Sequence, residues 1–579
     1  MSVALGIPTV DATTRRFQQP VQPTFGELYT PKLITILQEG YGWASLKSDI
    51  FAGLTVAIVA APLSMAIAIA SGTSPEHGLY TAIVGGFLVS LLGGSRFQIG
   101  GPAGAFIVLV SVTVERHGLD GLLLATMLAG VFLTIIGLLR LGTYIKFIPY
   151  PVTVGFTAGI AIIIFVSQIK DLLGLRLSTG EPGPLHEKLV ALAAALPTTN
   201  VYALAVAVAT ISLIVVVQRW RQAWPAILIA VGAVTVVAAL LHLPVSTIGS
   251  TFGELPRTLP EPQWPAFSYE KFRAVLPDAA AFALLGAIES LLSAVVADAM
   301  TGRRHRSNCE LVAQGIANIG SALFGGICVT GTIARTATNV RAGARGPVAG
   351  MLHSAFLLLF LLTAAPLASF VPLAALAGVL AVVCWTMAER HAFGTLLRLR
   401  GGDALVLLAT FALTIFVGLI QGIIVGFAIG AVLLIKRMSE MAGVEAHSPL
   451  LLEDRADGDG PRTAYDAQPA SDPDIIVYRI TGALFFGAAS SIGLLLDQAP
   501  TQYRALVLDF TDVPFADSTG INIIAGVCRT AAHKGASVYL TGVGPELRDL
   551  LVAHGIKPPL VQFSERIDDA VAVLKRRAP

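Results

Sequence analysis

Two short stretches, Gly100-Gly101-Pro102-Ala103-Gly104-Ala105 and Thr330-Gly331-Thr332-Ile333-Ala334-Arg335, interrupt a chain that is otherwise a succession of long apolar runs. Each sits where a membrane crossing is due, yet each is too short and too rich in small residues to complete one. They occupy corresponding positions in two similar halves. Discontinuous helices related in this way can aim their N-terminal ends at an anion near the bilayer midplane. The pattern therefore predicts a fold built around one shared anion pocket.

Hydrophobic residues make up 54% of the chain and charged ones 13%, and mean hydropathy is +0.74. That balance excludes a soluble enzyme and predicts a polytopic α-helical membrane protein. Runs that approach a bilayer thickness fall near 50–71, 76–93, 119–139, 151–169, 201–218, 223–243, 276–300, 308–325, 348–370, 372–388, 403–419 and 420–438. Half-helices at 101–114 and 331–340 bring the total to fourteen segments, read as a seven-plus-seven inverted repeat. Loop charges agree with that count. A cytoplasmic N-terminus places Arg140, Lys146, Arg219, Arg303, Arg304, Arg306, Arg341, Arg345, Arg390 and Arg398 inside, as the positive-inside rule requires. Arg303 to Arg306 are read as setting topology, not as a nucleic-acid patch.

Residues 1–46 carry Pro, Gln, Thr and scattered charge without an apolar h-region, so they read as a cytoplasmic N-terminal segment and not a cleaved signal peptide. The transporter-like region then runs over 47–440. An acidic, Gly- and Pro-containing linker is expected over 441–473, and a small α/β domain over 474–579 on the cytoplasmic side. Its strands are read at 475–480, 505–510 and 537–541, with helices after Gly487, after Asp517 and from Pro545 to His554. Cys309, Cys328, Cys384 and Cys528 form no C-x-x-C or Cys/His ligand pattern and read as reduced packing residues. No metal or other cofactor is expected, and no nucleophile elbow or P-loop is present.

Glu289 falls inside the eighth span among Leu284, Leu285, Leu291 and Leu292. An ionised carboxylate there costs at least a few kcal/mol, so it must face a cavity, find a partner or stay protonated. Ser293, four residues on, shares its helix face. Interhelical polar contact is the alternative to a proton-coupling role for the pair. Gly101, Pro102 and Ala103, facing Thr332, Ile333 and Ala334, would offer backbone N–H groups with little bulk. Arg335 would add a full charge there, unless its side chain snorkels toward the cytoplasmic mouth. Ser307-Asn-Cys-Glu310 reads as a capping box opening span nine, and Glu310, Gln314 and Asn318 as a structural polar stripe. Asp517-Ser518-Thr519-Gly520 places a hydroxyl at a helix start and reads as a helix cap.

Taken together, Asp49 to Pro62, Gly78-Leu-Tyr80, Gly93 to Arg96, Gly101-Pro102, Gly286 to Ser290 and Asn339 to Gly343 resemble the sulfate permease (SulP) family of anion carriers. Leu508-Asp509-Phe510 and Asp517 to Gly520 resemble the STAS domain that follows these transporters. Within the family, Gln168 to Gly174, Gly286 to Leu292 and Thr338 to Gly343 are most similar to a proton-coupled C4-dicarboxylate branch. The resemblance implies a core of spans 1–4 and 8–11 moving against a gate of spans 5–7 and 12–14. It also implies a homodimer in the inner membrane, a STAS domain open to a cytoplasmic regulator with phosphorylation of Ser518 as the alternative to a plain cap, and Arg335 bordering the anion. It places Leu63 and Ile67 beside the substrate. The expected activity is symport of a proton with a C4-dicarboxylate or sulfate. Bicarbonate transport, anion exchange, an anion channel and a tethered signalling protein are the alternatives.

Overall fold

The computed structural model describes residues 24–145, 149–177, 185–220, 224–398, 401–440, 443–446, 474–485 and 503–576. They fall into two compact units, 1–427 and 428–579. In the first half of the larger unit two short helices, α1 (Phe25–Tyr29) and α2 (Lys32–Gln38), precede α3 (Trp43–Ala70). The chain continues through α4 (Pro75–Tyr80), a π turn (Thr81–Gly85), α5 (Gly86–Leu92), strand β1 (Gly100–Gly101) and α6 (Ile107–Leu138). Helices α7 (Gly142–Ile145), α8 (Tyr150–Leu173), α9 (Leu185–Ala195), α10 (Val201–Trp220), α11 (Ala226–Leu240) and α12 (Ile248–Phe252) complete it.

The second half repeats the plan. It comprises α13 (Tyr269–Thr301), α14 (Ser307–Leu323), strand β2 (Thr330–Gly331), α15 (Ile333–Arg341) and α16 (Val348–Ala368). Helices α17 (Leu373–Met387), α18 (Arg390–Arg398), α19 (Gly402–Phe416) and α20 (Leu419–Glu440) follow. Among the described residues, eight helical segments are long and apolar enough to cross a membrane. Two shorter apolar helices, α11 and α19, accompany them. Valines and leucines on the outer faces of α10 and α20, such as Val208, Val215, Val432 and Leu434, are exposed as a lipid-facing surface would be.

One boundary differs from the sequence expectation. The first half-helix and the span after it are a single element, α6, broken at Gly118 (φ 69°, ψ −176°). Only glycine adopts that conformation without strain, so the chain changes direction without spending a loop. The packing forms two groups: α6 lies on α13 and α14 while α16 lies on α3, and α8 lies on α17 and α19 while α10 packs on α11 and α17.

Polar side chains lock the first group from within. Asp49 of α3 accepts from the backbone N–H groups of Arg345 (2.5 Å) and Gly346 (3.3 Å) and from the Tyr41 hydroxyl (2.6 Å). Glu310 does not close the expected capping box. Arg306 is the N-cap of α14 and makes no side-chain cap, while the fully buried Glu310 carboxylate accepts from Ser95 N (3.0 Å) and Gln314 Nε2 (3.1 Å). Asn318 completes the stripe by pairing with both Val329 N (3.0 Å) and Val329 O (2.8 Å). Helix α14 thereby grips the two segments that lead into β1 and β2.

The smaller unit carries a five-stranded sheet in the order β3-β4-β5-β6-β7. Its strands are β3 (Gly443–Ala446), β4 (Ile475–Thr481), β5 (Ala505–Asp512), β6 (Ser537–Thr541) and β7 (Gln562–Ser564). Strand β3 pairs antiparallel with β4 and the other neighbours are parallel. Helices α21 (Ser518–His533), α22 (Pro545–Ala553) and α23 (Ile567–Arg576) accompany it. The segment expected as pure linker thus supplies an edge strand. The helix expected after Gly487 lies outside the described residues.

Candidate anion site

Strands β1 and β2 are a two-rung antiparallel ladder, Gly100 opposite Gly331 and Gly101 opposite Thr330. Immediately beyond it a 3-10 turn (Gly104–Phe106) leads into α6 on one side, and α15 begins on the other. Two helix N-termini therefore start from one ladder, each with N–H groups that have no partner inside the helix. Thr332 N donates to Ile99 O (3.1 Å), and Thr336 Oγ1 accepts from Ile99 N (3.2 Å) and from Ser293 Oγ (3.0 Å). Gln98 Nε2 donates to Ser290 Oγ (2.8 Å) and Thr330 Oγ1 to Gly286 O (3.2 Å). Helix α13 is thus stitched along one face to both crossing strands.

The glycines of the ladder are required by close approach. A Cβ on Gly101 would lie 1.9 Å from Arg335 Nη1, and one on Gly331 would lie 1.6 Å from Gln98 Nε2. Arg335 does not snorkel: it is 2% exposed, and its Nη2 donates to Ser64 Oγ (3.0 Å) and Pro102 O (3.3 Å). Its Nε and Nη1 have no hydrogen-bond partner. The guanidinium lies against Gly101 of the ladder, where burial reduces the screening of its charge. Ala334 next to it is exposed, while Thr332 and Ala103 are buried and Ile333 is half-buried. Leu63 and Ile67 are buried in one apolar cluster with Ala103 and Phe106.

Glu289 is 9% exposed and has no hydrogen bond or ion pair to Arg335 or to any other described residue. It occupies the face of α13 between Gly286 and Ser293, whose partners are Thr330 and Thr336. The structure therefore brings Gly101, Pro102, Arg335 and Ser293 into one network and leaves Glu289 beside it, unpaired. Ser64, Gln98, Ser290 and Thr336 belong to that network and escaped the sequence reading, because a lone hydroxyl or amide in an apolar span carries no spacing signal.

In the smaller unit, Asp517 Oδ1 accepts from Gly520 N (2.8 Å), a helix cap, and Ser518 beside it is exposed. No group of three or more His, Cys, Asp or Glu with metal-site geometry occurs among the described residues.

A ladder of crossing strands carrying two opposed helix tips, on a polytopic helical bundle followed by an α/β sheet domain, defines a membrane transporter for anions. The chain belongs to the sulfate permease family, which it matches over residues 46–410, and carries a STAS domain over 467–570. It is a transporter and not an enzyme. It is 41% identical to the putative sulfate transporter YvdB of Bacillus subtilis, over 90% of this chain and 95% of that protein. It is 31% identical to the bicarbonate transporter BicA of Picosynechococcus, over 87% and 90%. Its fold is similar to that of the murine Solute Carrier 26 family member A9 anion transporter (TM-score 0.82, 18% identity, 99% and 97% covered). The transmembrane domain of a cyanobacterial BicA gives a TM-score of 0.59 at 33% identity, over 66% of this chain and 98% of that one.

Proposed function

We propose that the chain moves a small dianion together with a proton by alternating access, with sulfate the first candidate and a C4-dicarboxylate such as succinate the second. The observation that supports this reading is the pair of helix tips leaving one ladder, with Arg335 buried against it and an unpaired carboxylate beside it. Charge arithmetic gives the coupling. Two helix tips supply roughly +1 together and Arg335 adds one, so an ionised Glu289 leaves about +1 and a protonated one about +2. A dianion is matched by the protonated state. Linkage is reciprocal: bound dianion favours the proton on Glu289, and acid on the outer side favours dianion uptake.

Residues Gly101, Pro102, Ala103, Thr332, Ile333 and Ala334 would present backbone to the anion, Leu63 and Ile67 its apolar wall, and Ser293 would orient the coupling region. The helices packed around α6 and α13 would carry the site past those packed around α8 and α17. The protein is expected as a homodimer in the plasma membrane, with the N-terminus and STAS domain cytoplasmic and Ser518 open to a regulator.

Relatives named as bicarbonate transporters, 31% and 32% identical, favour a second reading. The site charge of about +1 with Glu289 ionised suits a monoanion. Uptake of labelled sulfate into proteoliposomes, with succinate and hydrogencarbonate as competitors under an imposed pH gradient, separates the two. In the symport reading Glu289→Gln retains exchange but loses acceleration by outside acid. Unchanged pH-driven accumulation in that variant removes Glu289 from the coupling.

A further inference from the structure

Four hydrogen bonds hold the chain entering β1, the second half-helix α15 and helix α13 together, and two of them end on one oxygen. Asn339 Nδ2 donates to Phe97 O (2.9 Å), Thr332 N to Ile99 O (3.1 Å) and Ile99 N to Thr336 Oγ1 (3.2 Å). Ser293 Oγ of α13 donates to the same Thr336 Oγ1 (3.0 Å). Both hydroxyl side chains are fully buried. A hydroxyl oxygen has two lone pairs, and at Thr336 both are taken. One meets the backbone ahead of the first helix tip, the other the helix that carries Glu289.

Thr336 lies one turn past Thr332, the N-cap of α15, and Ser293 lies one turn past Glu289 on α13. Three elements therefore meet at one side chain: the lead into the first tip, the helix behind the second tip, and α13. The bonds from Gln98 Nε2 to Ser290 Oγ (2.8 Å) and from Thr330 Oγ1 to Gly286 O (3.2 Å) also touch α13, but neither reaches α15. The consequence is electrostatic. The interaction between a charge on Glu289 and an anion at the tips depends on their separation, and most steeply where the dielectric is low. A bond that fixes the Glu289 face of α13 against α15 fixes that separation.

We propose that Thr336 is a positioning residue for ion coupling: its hydroxyl holds the Glu289 face of α13 at a set distance from both helix tips, so that the protonation state of Glu289 is felt at the anion. The proposal rests on Glu289 serving as the coupling carboxylate. In this role Thr336 acts apart from the cradle that Ser64 and Pro102 form around Arg335.

The test uses the full chain in proteoliposomes and labelled sulfate, which stays a dianion at neutral and mildly acidic pH, so that a pH effect belongs to the protein. The sulfate half-saturation at outer pH of about 7.5, divided by that at about 5.5, is expected to be about fivefold or more in the parent. Thr336→Val keeps the branched shape, removes the acceptor and should bring the ratio below about twofold, whereas Thr336→Ser should restore it. A loss of stability alone lowers uptake at both pH values and leaves the ratio at the parent value; that outcome overturns the proposal. Ser293→Ala breaks the same contact from the α13 side while Ile99 N–H keeps its acceptor. Combined with Thr336→Val it should flatten the ratio no further than either change alone, and effects that add overturn the shared contact. Should the Val variant not fold, Ser293→Ala decides: a flattened ratio supports the proposal and a parent-like one overturns it. Glu289→Gln separates the two readings. A parent-like ratio there removes Glu289 from the coupling and the proposal with it, whereas a flat ratio there with a parent-like Thr336→Val sinks only the Thr336 role.

Discussion

At the scale of single residues, a guanidinium is placed by the absence of one methyl group. Gly101→Ala would put a Cβ 1.9 Å from Arg335 Nη1, and because the other side of the guanidinium is occupied by Ser64 and Pro102 the side chain must leave its seat. Sulfate half-saturation is expected to rise about tenfold or more, corresponding to the loss of one charge-assisted contact. Ser64→Ala removes a single acceptor and should cost less than Gly101→Ala. Concentration dependence of uptake for the two variants checks the order, and a larger effect at Ser64 would contradict the cradle.

At the scale of elements, α14 carries the crossing strands through side chains on one stripe. Glu310→Ala strands the Ser95 N–H, and Asn318→Ala strands both backbone groups of Val329. Each buried group left unpaired costs roughly 1–3 kcal/mol. Thermal unfolding of purified protein should show both variants destabilised, with Glu310→Gln milder because it keeps an acceptor oxygen.

The same elements show what the sequence could and could not convey. The half-helix starts at Gly101 and Thr332 were legible because small residues recurred at matching places in two repeats. The Ser307-x-x-Glu310 spacing suggested a cap, but the backbone donor that claims Glu310, Ser95 N, lies more than two hundred residues earlier in the chain, and local spacing cannot report it. Strand β3 was hidden inside a polar linker for a related reason: four residues become a strand only because β4 offers them an edge. Ser64 and Gln98, lone polar residues among apolar neighbours, gave no period to read.

At the scale of the whole molecule, two units of different chemistry follow one another in the chain. The smaller one has its own core around Leu508, Phe510, Ile521, Ile524 and Leu540. Asp509 anchors it by accepting from Arg479 Nε (3.0 Å), Thr511 Oγ1 (2.7 Å) and Thr541 Oγ1 (3.0 Å). Cys528 is buried in that core, and burial pushes its thiol up to about 12. Its thiolate is therefore scarce at pH 8, and a maleimide should leave it unmodified in the native protein. Labelling that begins only when the STAS domain is loosened by urea would confirm this; rapid labelling at pH 8 without denaturant would contradict the burial.

Two residue pairs form the ladder between the starts of the two helices, hydrogen-bonded backbone with almost no side chain. So short a bridge cannot stretch or slide by one register without unpairing, and an unpaired peptide group at this depth has no solvent to turn to. In the proposed alternating-access reading the cargo's immediate surroundings would therefore travel as one rigid carriage. Whatever distinguishes an open face from a closed one must be accomplished by the walls it passes, and selectivity should be the same from either side of the membrane.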